Sequence, residues 1–140
     1  MISRRTQTIV TRLHAGVYRL TRGRVLGRLG TMEQVLLTTR GRTSGQPRTT
    51  PLSAFPEGDR LVLVASDGGR PEHPQWYRNL LVDDRVVVQR GATKIPMRAR
   101  PADDEERGRL WKRVTSEYRG YEQYQSRTDR TIPLVICEPR

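Results

Sequence analysis

Residues 1–29 repeat apolar side chains at helical spacing, with Ile9, Leu13, Val17 and Leu20 on one stripe and arginines elsewhere. Gly23, Gly27 and Gly30 interrupt that pattern. From residue 35 the texture changes to short apolar runs between turn-forming residues, which predicts strands. Strands are expected over residues 35–39 and 49–55, joined by a turn over 41–47, and over 60–66 after the reversal Pro56-Glu57-Gly58-Asp59. The run Leu61-Val62-Leu63-Val64 is apolar enough for a strand covered on both faces. Asp67-Gly68-Gly69 ends it, and His73-Pro74 opens a short helix to about residue 81, with Pro74 in the tolerated first turn. A hairpin follows over 85–90 and 94–100 around Gly91-Ala92. Residues 103–106 place acids in the first turn of a further helix, where the helix dipole favours them, and that helix presents Leu110, Trp111 and Val114. A closing strand spans 132–137.

Most connections between strands are too short for parallel crossovers, which need a dozen or more residues. The expected fold is therefore mostly β (α+β): a six-stranded antiparallel sheet curled into a small barrel, with an N-terminal helix and two further helices. At 140 residues a single core is expected. The chain divides into a basic amphipathic helix and Gly-rich linker over 1–32 and a barrel domain over 33–140.

Charge sharpens the picture. The chain carries 26 Lys and Arg against 15 Asp and Glu. Seven arginines and no acid fall within residues 1–32, leaving 19 cations against all 15 acids in the other 108. Such a balance favours anionic partners: nucleic acid, anionic lipid, or a phosphorylated or carboxylated small molecule. Only eight aromatic residues are present, which argues against a nucleic-acid module built on stacking. No apolar run has the length of a membrane span, and no signal peptide is expected. The single Cys137 excludes an internal disulfide and, with only two histidines, gives no metal set. A cytoplasmic location follows, with peripheral contact at the inner membrane face through the basic helix as an additional expectation.

Four groups of residues carry candidate chemistry. Arg42, Thr43 and Arg48 lie on a glycine-bearing strand–turn–strand, where open backbone and guanidinium groups suit phosphate or carboxylate; the alternative is a solvated basic hairpin. Ser66, Asp67, Gly68 and Gly69 end the most apolar strand, as a ligand-binding nest or as a plain turn. Trp76 and Asn79 share one helix face, Trp76 as core or ligand contact and Asn79 as a solvated residue or a donor. Tyr118, Tyr121 and Tyr124 recur every three residues, weakened as a helix by Gly120; three phenols make a poor dry core and a better wall for a partly wet pocket. No nucleophile–base set is evident, so any redox chemistry would belong to a cofactor.

In this order, these segments resemble the deazaflavin-dependent nitroreductase family of split β-barrel proteins. The matching stretches are Leu13-His14-Ala15-Gly16-Val17-Tyr18-Arg19, Leu36 through Arg48, Pro51-Leu52, Ala65 through Gly69, His73 through Leu80, Tyr121 through Gln125, and Arg130-Thr131-Ile132-Pro133. The resemblance implies an oxidoreductase passing a hydride from reduced coenzyme F420 to a quinone, nitroaromatic or activated alkene such as an enone. It implies Arg42 and Arg48, with Lys94 as a helper, on the cofactor's phosphate and acidic tail. Ser66 through Gly69, Trp76 and Asn79 would line the deazaflavin head. Ser66, Tyr118, Tyr121 and Tyr124 would face the acceptor. Position 43 often carries a cation in that family and here is Thr43. The alternatives are the same barrel binding flavin mononucleotide (FMN) and a basic nucleic-acid-binding module. The oligomeric state is expected to be monomer or homodimer.

Overall fold

The computed structural model describes residues 28, 29 and 32–140. The helix read over residues 1–29 and the linker after it otherwise lie outside them. Seven strands run in the order β1 Arg28–Leu29, β2 Met32–Arg40, β3 Pro47–Glu57, β4 Arg60–Val64, β5 Arg85–Arg90, β6 Thr93–Pro101 and β7 Leu134–Pro139. Helix α1 spans Gln75–Val82, α2 Asp104–Glu117 and α3 Gly120–Ser126, and a 3-10 turn covers Asp67–Gly69. Every pairing is antiparallel, in the spatial order β1-β2-β3-β4-β7-β6-β5, and β5 pairs back onto β2 through Leu36–Gln89, Leu37–Val88 and Thr38–Val87. Six strands thus close a barrel, as expected, and closure removes exposed sheet edges.

Strand alternation divides the core in two. Val35, Leu37, Leu61, Leu63, Val86, Val88, Met97 and Val135 point into the barrel, where Trp76, Tyr77 and Leu80 of α1 plug one end. Val62, Val64, Leu134 and Ile136 point outward and are covered by Leu110, Val114 and Tyr121 of α2 and α3. The 61–64 run is apolar throughout because β4 is buried on both faces. Burying each such side chain contributes about 1.5–3 kcal/mol.

Helix α2 starts at a capping box: the Asp103 carboxylate accepts from the Glu106 N–H at 2.8 Å, and the Asp103 N–H donates to Glu106 Oε1 at 3.0 Å. Arg100 reaches Glu106 with both terminal nitrogens, at 2.8 and 2.9 Å, tying the helix start to β6.

Two expectations need correction. Residues 28 and 29, at the end of the helical stretch, form a strand paired with Met32 and Glu33, since Gly27 and Gly30 isolate too short a segment for a helical turn. The tyrosine-bearing segment is not one helix. Tyr118 is extended (φ −145°, ψ 103°) and separates α2 from α3, giving three helices among the described residues. A Cβ at Gly120 would overlap the Tyr118 ring, so the break and the glycine belong together.

Candidate functional site

The β2–β3 turn is closed by Gly41 N–H donating to Gln46 O and Gly45 N–H donating to Gly41 O, both at 2.8 Å. Gly45 takes φ +73°, a conformation other residues adopt at a cost of about 1–2 kcal/mol. The turn presents Arg40, Arg42 and Arg48. Arg42 is fixed by α1: its backbone N–H and its Nη1 both donate to Asn79 Oδ1, at 3.2 and 2.8 Å, and its Nη2 donates to Gln75 Oε1 at 2.7 Å. Arg48 Nη2 donates to Ser44 Oγ at 3.2 Å.

These acceptors are neutral, so they aim the guanidinium groups without cancelling their charge. Elsewhere on the barrel, arginines meet carboxylates: Arg90 on Glu33 at 2.7 Å, Arg100 on Glu106 at 2.8 Å, Arg85 on Asp83 at 3.1 Å. Among the described residues, Arg40, Arg42 and Arg48 make no such pair.

A groove of about 890 Å³ lies between this turn and the end of α1, lined by Arg40, Arg42, Thr43, Ser44, Leu81, Val82, Asp83, Asp84 and Arg85. The two acids do not reverse its sign. The Arg85 side chain, then its backbone N–H, hold the Asp83 carboxyl below its usual range, so that carboxylate is already paired. Arg40 also acts on Asp83, whereas among the described residues Arg42 in the groove and Arg48 on the same turn form no ion pair with a carboxylate. Such guanidinium groups suit a ligand carrying phosphate and several carboxylates, the kind of tail coenzyme F420 has, because their forks match those oxygens in pairs. Thr43 lines the groove without adding a cation.

The second half of the site forms where β4 ends. Ser66 is buried, and Asp67, Gly68 and Gly69 follow with φ of +44°, +65° and +81°. Gly69 N–H donates to Ser66 O at 2.8 Å. A side chain at Gly69 would overlap the Tyr124 backbone carbonyl, so α3 rests directly on this reversal. Tyr118, Tyr121 and Tyr124 come together despite the helix break, with ring centroids 4.9 to 6.2 Å apart in edge-to-face pairs. The hydroxyls of Tyr118 and Tyr124 share a hydrogen bond of 3.0 Å.

The three phenols are not equivalent. Tyr118 and Tyr124 are half-buried, whereas Tyr121 is only 6% exposed and packs edge-on against Phe55. Burial raises the Tyr121 pKa well above the ordinary phenol value, opposed by a hydrogen bond to Ser53. The bond to Tyr118, then burial, raises that of Tyr124. Both groups are neutral hydrogen-bonding phenols at physiological pH.

The remaining expected residues fall in different places. Trp76 belongs to the barrel interior at 7% exposure, as core. Asn79 is neither solvated nor open: its Nδ2 donates to Thr39 Oγ1 at 3.2 Å and its Oδ1 holds Arg42. Lys94 is not brought to the Arg42 turn. It pairs in register with Gln89, which pairs with Leu36, four positions along β2 from Arg40 and so roughly 13 Å away. The barrel's register puts the β5–β6 hairpin away from the cationic turn.

Three residues lacked a sequence signal for their role: Gln75, which holds Arg42, and Arg130 and His73, which hold the 66–69 reversal. Arg130 donates to Ala65 O, Ser66 O and Arg70 O, and its Nη1 lies 3.0 Å from His73 Nδ1. The Arg130 stretch carried the family resemblance, but nothing local to it points 60 positions upstream. Both halves of the site lie at the barrel end where β2 and β4 finish and β5 begins, with α1 between them.

The chain matches the F420H(2)-dependent quinone reductase family over residues 10–139. An F420H(2)-dependent quinone reductase of Mycobacterium tuberculosis (strain H37Rv) is 40% identical over 133 residues, covering 92% of this chain and 89% of its own. A solved F420-H2 dependent reductase superposes with a TM-score of 0.69 at 42% identity, over 75% of this chain and 93% of that one. A structure described as a domain-swapped dimer gives a TM-score of 0.73 at 38% identity, over 90% and 96%.

Proposed function

Because the chain belongs to the F420H(2)-dependent quinone reductase family, we propose that it binds reduced coenzyme F420 through the Arg42 turn and reduces a quinone held beside Ser66 and the tyrosines. The observation that carries this reading is the charge at the turn: Arg42 and Arg48 are oriented by Asn79, Gln75 and Ser44, all neutral. The bound reduced deazaflavin supplies the hydride equivalent. The protein's part is to grip the acidic tail, fix the reacting partners in contact and stabilise charge on the acceptor oxygen. Charge-assisted bonds from each guanidinium contribute about 1.5–3 kcal/mol.

Tyr118 and Tyr124 share one hydrogen bond between two hydroxyls, so one phenolic proton remains for a ligand oxygen. Ser66 offers a second hydroxyl on the reversal against which α3 packs. The same donors would serve a nitro group or an enone carbonyl, and these are proposed as further acceptors. The turn carries Arg40, Arg42 and Arg48, more cations than a single phosphate needs, which favours the deazaflavin over FMN. Phe55, Trp76, Tyr77 and Tyr121 are buried, leaving few rings to stack on nucleic-acid bases.

The test mixes purified protein, reduced coenzyme F420 and menadione and follows cofactor absorbance. Oxidation no faster than in the protein-free control overturns the redox assignment, and tighter binding of FMN than of F420 overturns the cofactor. A homodimer is proposed from the likeness to the domain-swapped structure, to be checked by light scattering. No helix among the described residues is long and apolar enough to cross a membrane. The seven arginines of residues 1–32 nonetheless suit anionic headgroups, where a lipid-soluble quinone would be met. Salt-sensitive pelleting with anionic vesicles checks that contact.

A further inference from the structure

We propose that Arg130 is a positioning residue for the acceptor side of the site, and that an unprotonated His73 completes its grip on residues 65–70. The proposal rests on the reading above only in taking the Ser66 reversal as the acceptor's neighbour. Arg130 Nε donates to Arg70 O at 2.8 Å, Nη2 to Ser66 O at 2.8 Å, and Nη1 to Ala65 O at 3.1 Å. The same Nη1 lies 3.0 Å from His73 Nδ1. Among the described residues no carboxylate forms an ion pair with it. A guanidinium normally resists burial, and here its fork is spent on the backbone of one short segment.

That segment needs holding. Three consecutive residues, Asp67, Gly68 and Gly69, take positive φ, and Ser66 O already accepts from Gly69. Since the Tyr124 backbone rests on Gly69, the clasp fixes where α3 meets the Ser66 reversal. His73 Nδ1 can accept from Arg130 only when unprotonated, which places the ring proton on Nε2. The charged groups facing the imidazole are Arg130 and Arg78, Tyr77 packs on it with centroids 4.8 Å apart, and Asp67 acts on Arg130 from the reversal. Burial first, then Arg130 and Arg78, lower the His73 pKa from its ordinary 6.5. Protonation below that value therefore removes an acceptor and sets two cations together.

Three variants test the clasp. His73→Asn keeps an acceptor oxygen that does not titrate; His73→Phe keeps the ring on Tyr77 without an acceptor; Arg130→Lys keeps charge without the fork. In the wild type, kcat/KM for menadione should fall as pH drops below the ordinary imidazole value, and His73→Asn should abolish that limb. His73→Phe and Arg130→Lys should raise KM for menadione about tenfold, the effect of losing one hydrogen bond of about 1.4 kcal/mol. They should leave the Kd for reduced coenzyme F420 within about twofold, well under that same energy. Amide exchange at residues 66–70 in the ligand-free protein should quicken in these two variants and not in His73→Asn. A pH limb that survives His73→Asn, or exchange at 66–70 unchanged in both other variants, overturns the proposal. The exchange readout needs no turnover, so it decides the clasp even if menadione is not reduced.

Discussion

Asn79 Oδ1 receives both the backbone N–H and the guanidinium Nη1 of Arg42, at 3.2 and 2.8 Å, while its amide nitrogen donates to Thr39 at the end of β2. One helix residue thus sets where the Arg42 charge points. Asn79→Ala should leave Arg42 in place but unaimed. Affinity for reduced coenzyme F420 should fall about tenfold, the worth of one lost charge-assisted bond, and stability by about 1–3 kcal/mol for the buried groups left unpaired. Cofactor titration and urea unfolding give the two numbers; unchanged affinity would contradict the aiming role.

Removing the charges themselves should cost more. Arg42→Ala and Arg48→Ala are each expected to weaken cofactor binding about 10- to 100-fold at low salt, from bonds of about 1.5–3 kcal/mol. Lysine at either position should recover only part of this, since a point charge lacks the paired donors of the fork. Thr43→Arg should tighten binding by adding a cation to the groove. The check is a titration across ionic strength, in which arginine variants that leave Kd unchanged would remove the turn from the tail-binding site.

The barrel was legible in the sequence because its strands are short apolar runs between Gly, Pro and Asp turns, and the doubly buried Leu61-Val62-Leu63-Val64 run stood out. Closure of β5 onto β2 was not legible in detail, since it depends on a register between Leu36 and Gln89 that no local pattern encodes. The Arg42 turn could be read from its glycines and cations. The roles of Trp76 and Asn79 could not, because helix spacing tells which residues share a face and not what that face meets. The tyrosine spacing suggests a single helix, since a repeat of three does not tell that the Tyr118 ring lies where a Cβ at position 120 would be. Arg130 acts on carbonyls more than fifty positions away, so its role leaves no trace in its own neighbourhood.

Adjacent glycines in the Ser66 reversal should respond differently. Gly68 has φ +65° and open space around a Cβ, so Gly68→Ala should cost about 1–2 kcal/mol. Gly69 has φ +81° and the Tyr124 carbonyl in the way, adding about 1–3 kcal/mol of overpacking to the same backbone cost. Gly69→Ala should therefore be the more destabilising by unfolding and should also disturb menadione KM by shifting α3. Equal losses for the two would show that α3 does not rest on Gly69.

Gly120→Ala should act through Tyr118. The added methyl displaces the ring and breaks the 3.0 Å hydroxyl pair with Tyr124. KM for the acceptor is expected to rise about tenfold, one hydrogen bond's worth, while cofactor Kd stays within about twofold. A Tyr118→Phe variant, which keeps the ring and deletes the hydroxyl, should reproduce part of the effect. No change in either variant would remove the phenol pair from the acceptor site.

The start of α2 should govern acid stability. The Arg100 side chain, then the Asp103 N–H, hold the Glu106 carboxyl at about 2, below its ordinary 4.5. Because its folded value is depressed, Glu106 stabilises fully at pH above the ordinary value and loses that contribution as pH falls toward 2. Glu106→Gln retains the capping geometry without titrating. The difference in melting temperature between wild type and variant should shrink as pH is lowered through that window. A constant difference would show that the charge is not what stabilises the helix start.

The strand alternation that sends Leu61 and Leu63 inward and Val62 and Val64 outward has a consequence for how such a protein can diversify. The grip proposed for the electron donor is aimed from the plug of the inner compartment, and the phenols proposed for the acceptor side are mounted on the outer covering. A wall one strand thick keeps the two packings apart. On the proposed assignment, mutation in the outer layer is expected to retune the acceptor while the inner one leaves the hold on the reductant unchanged.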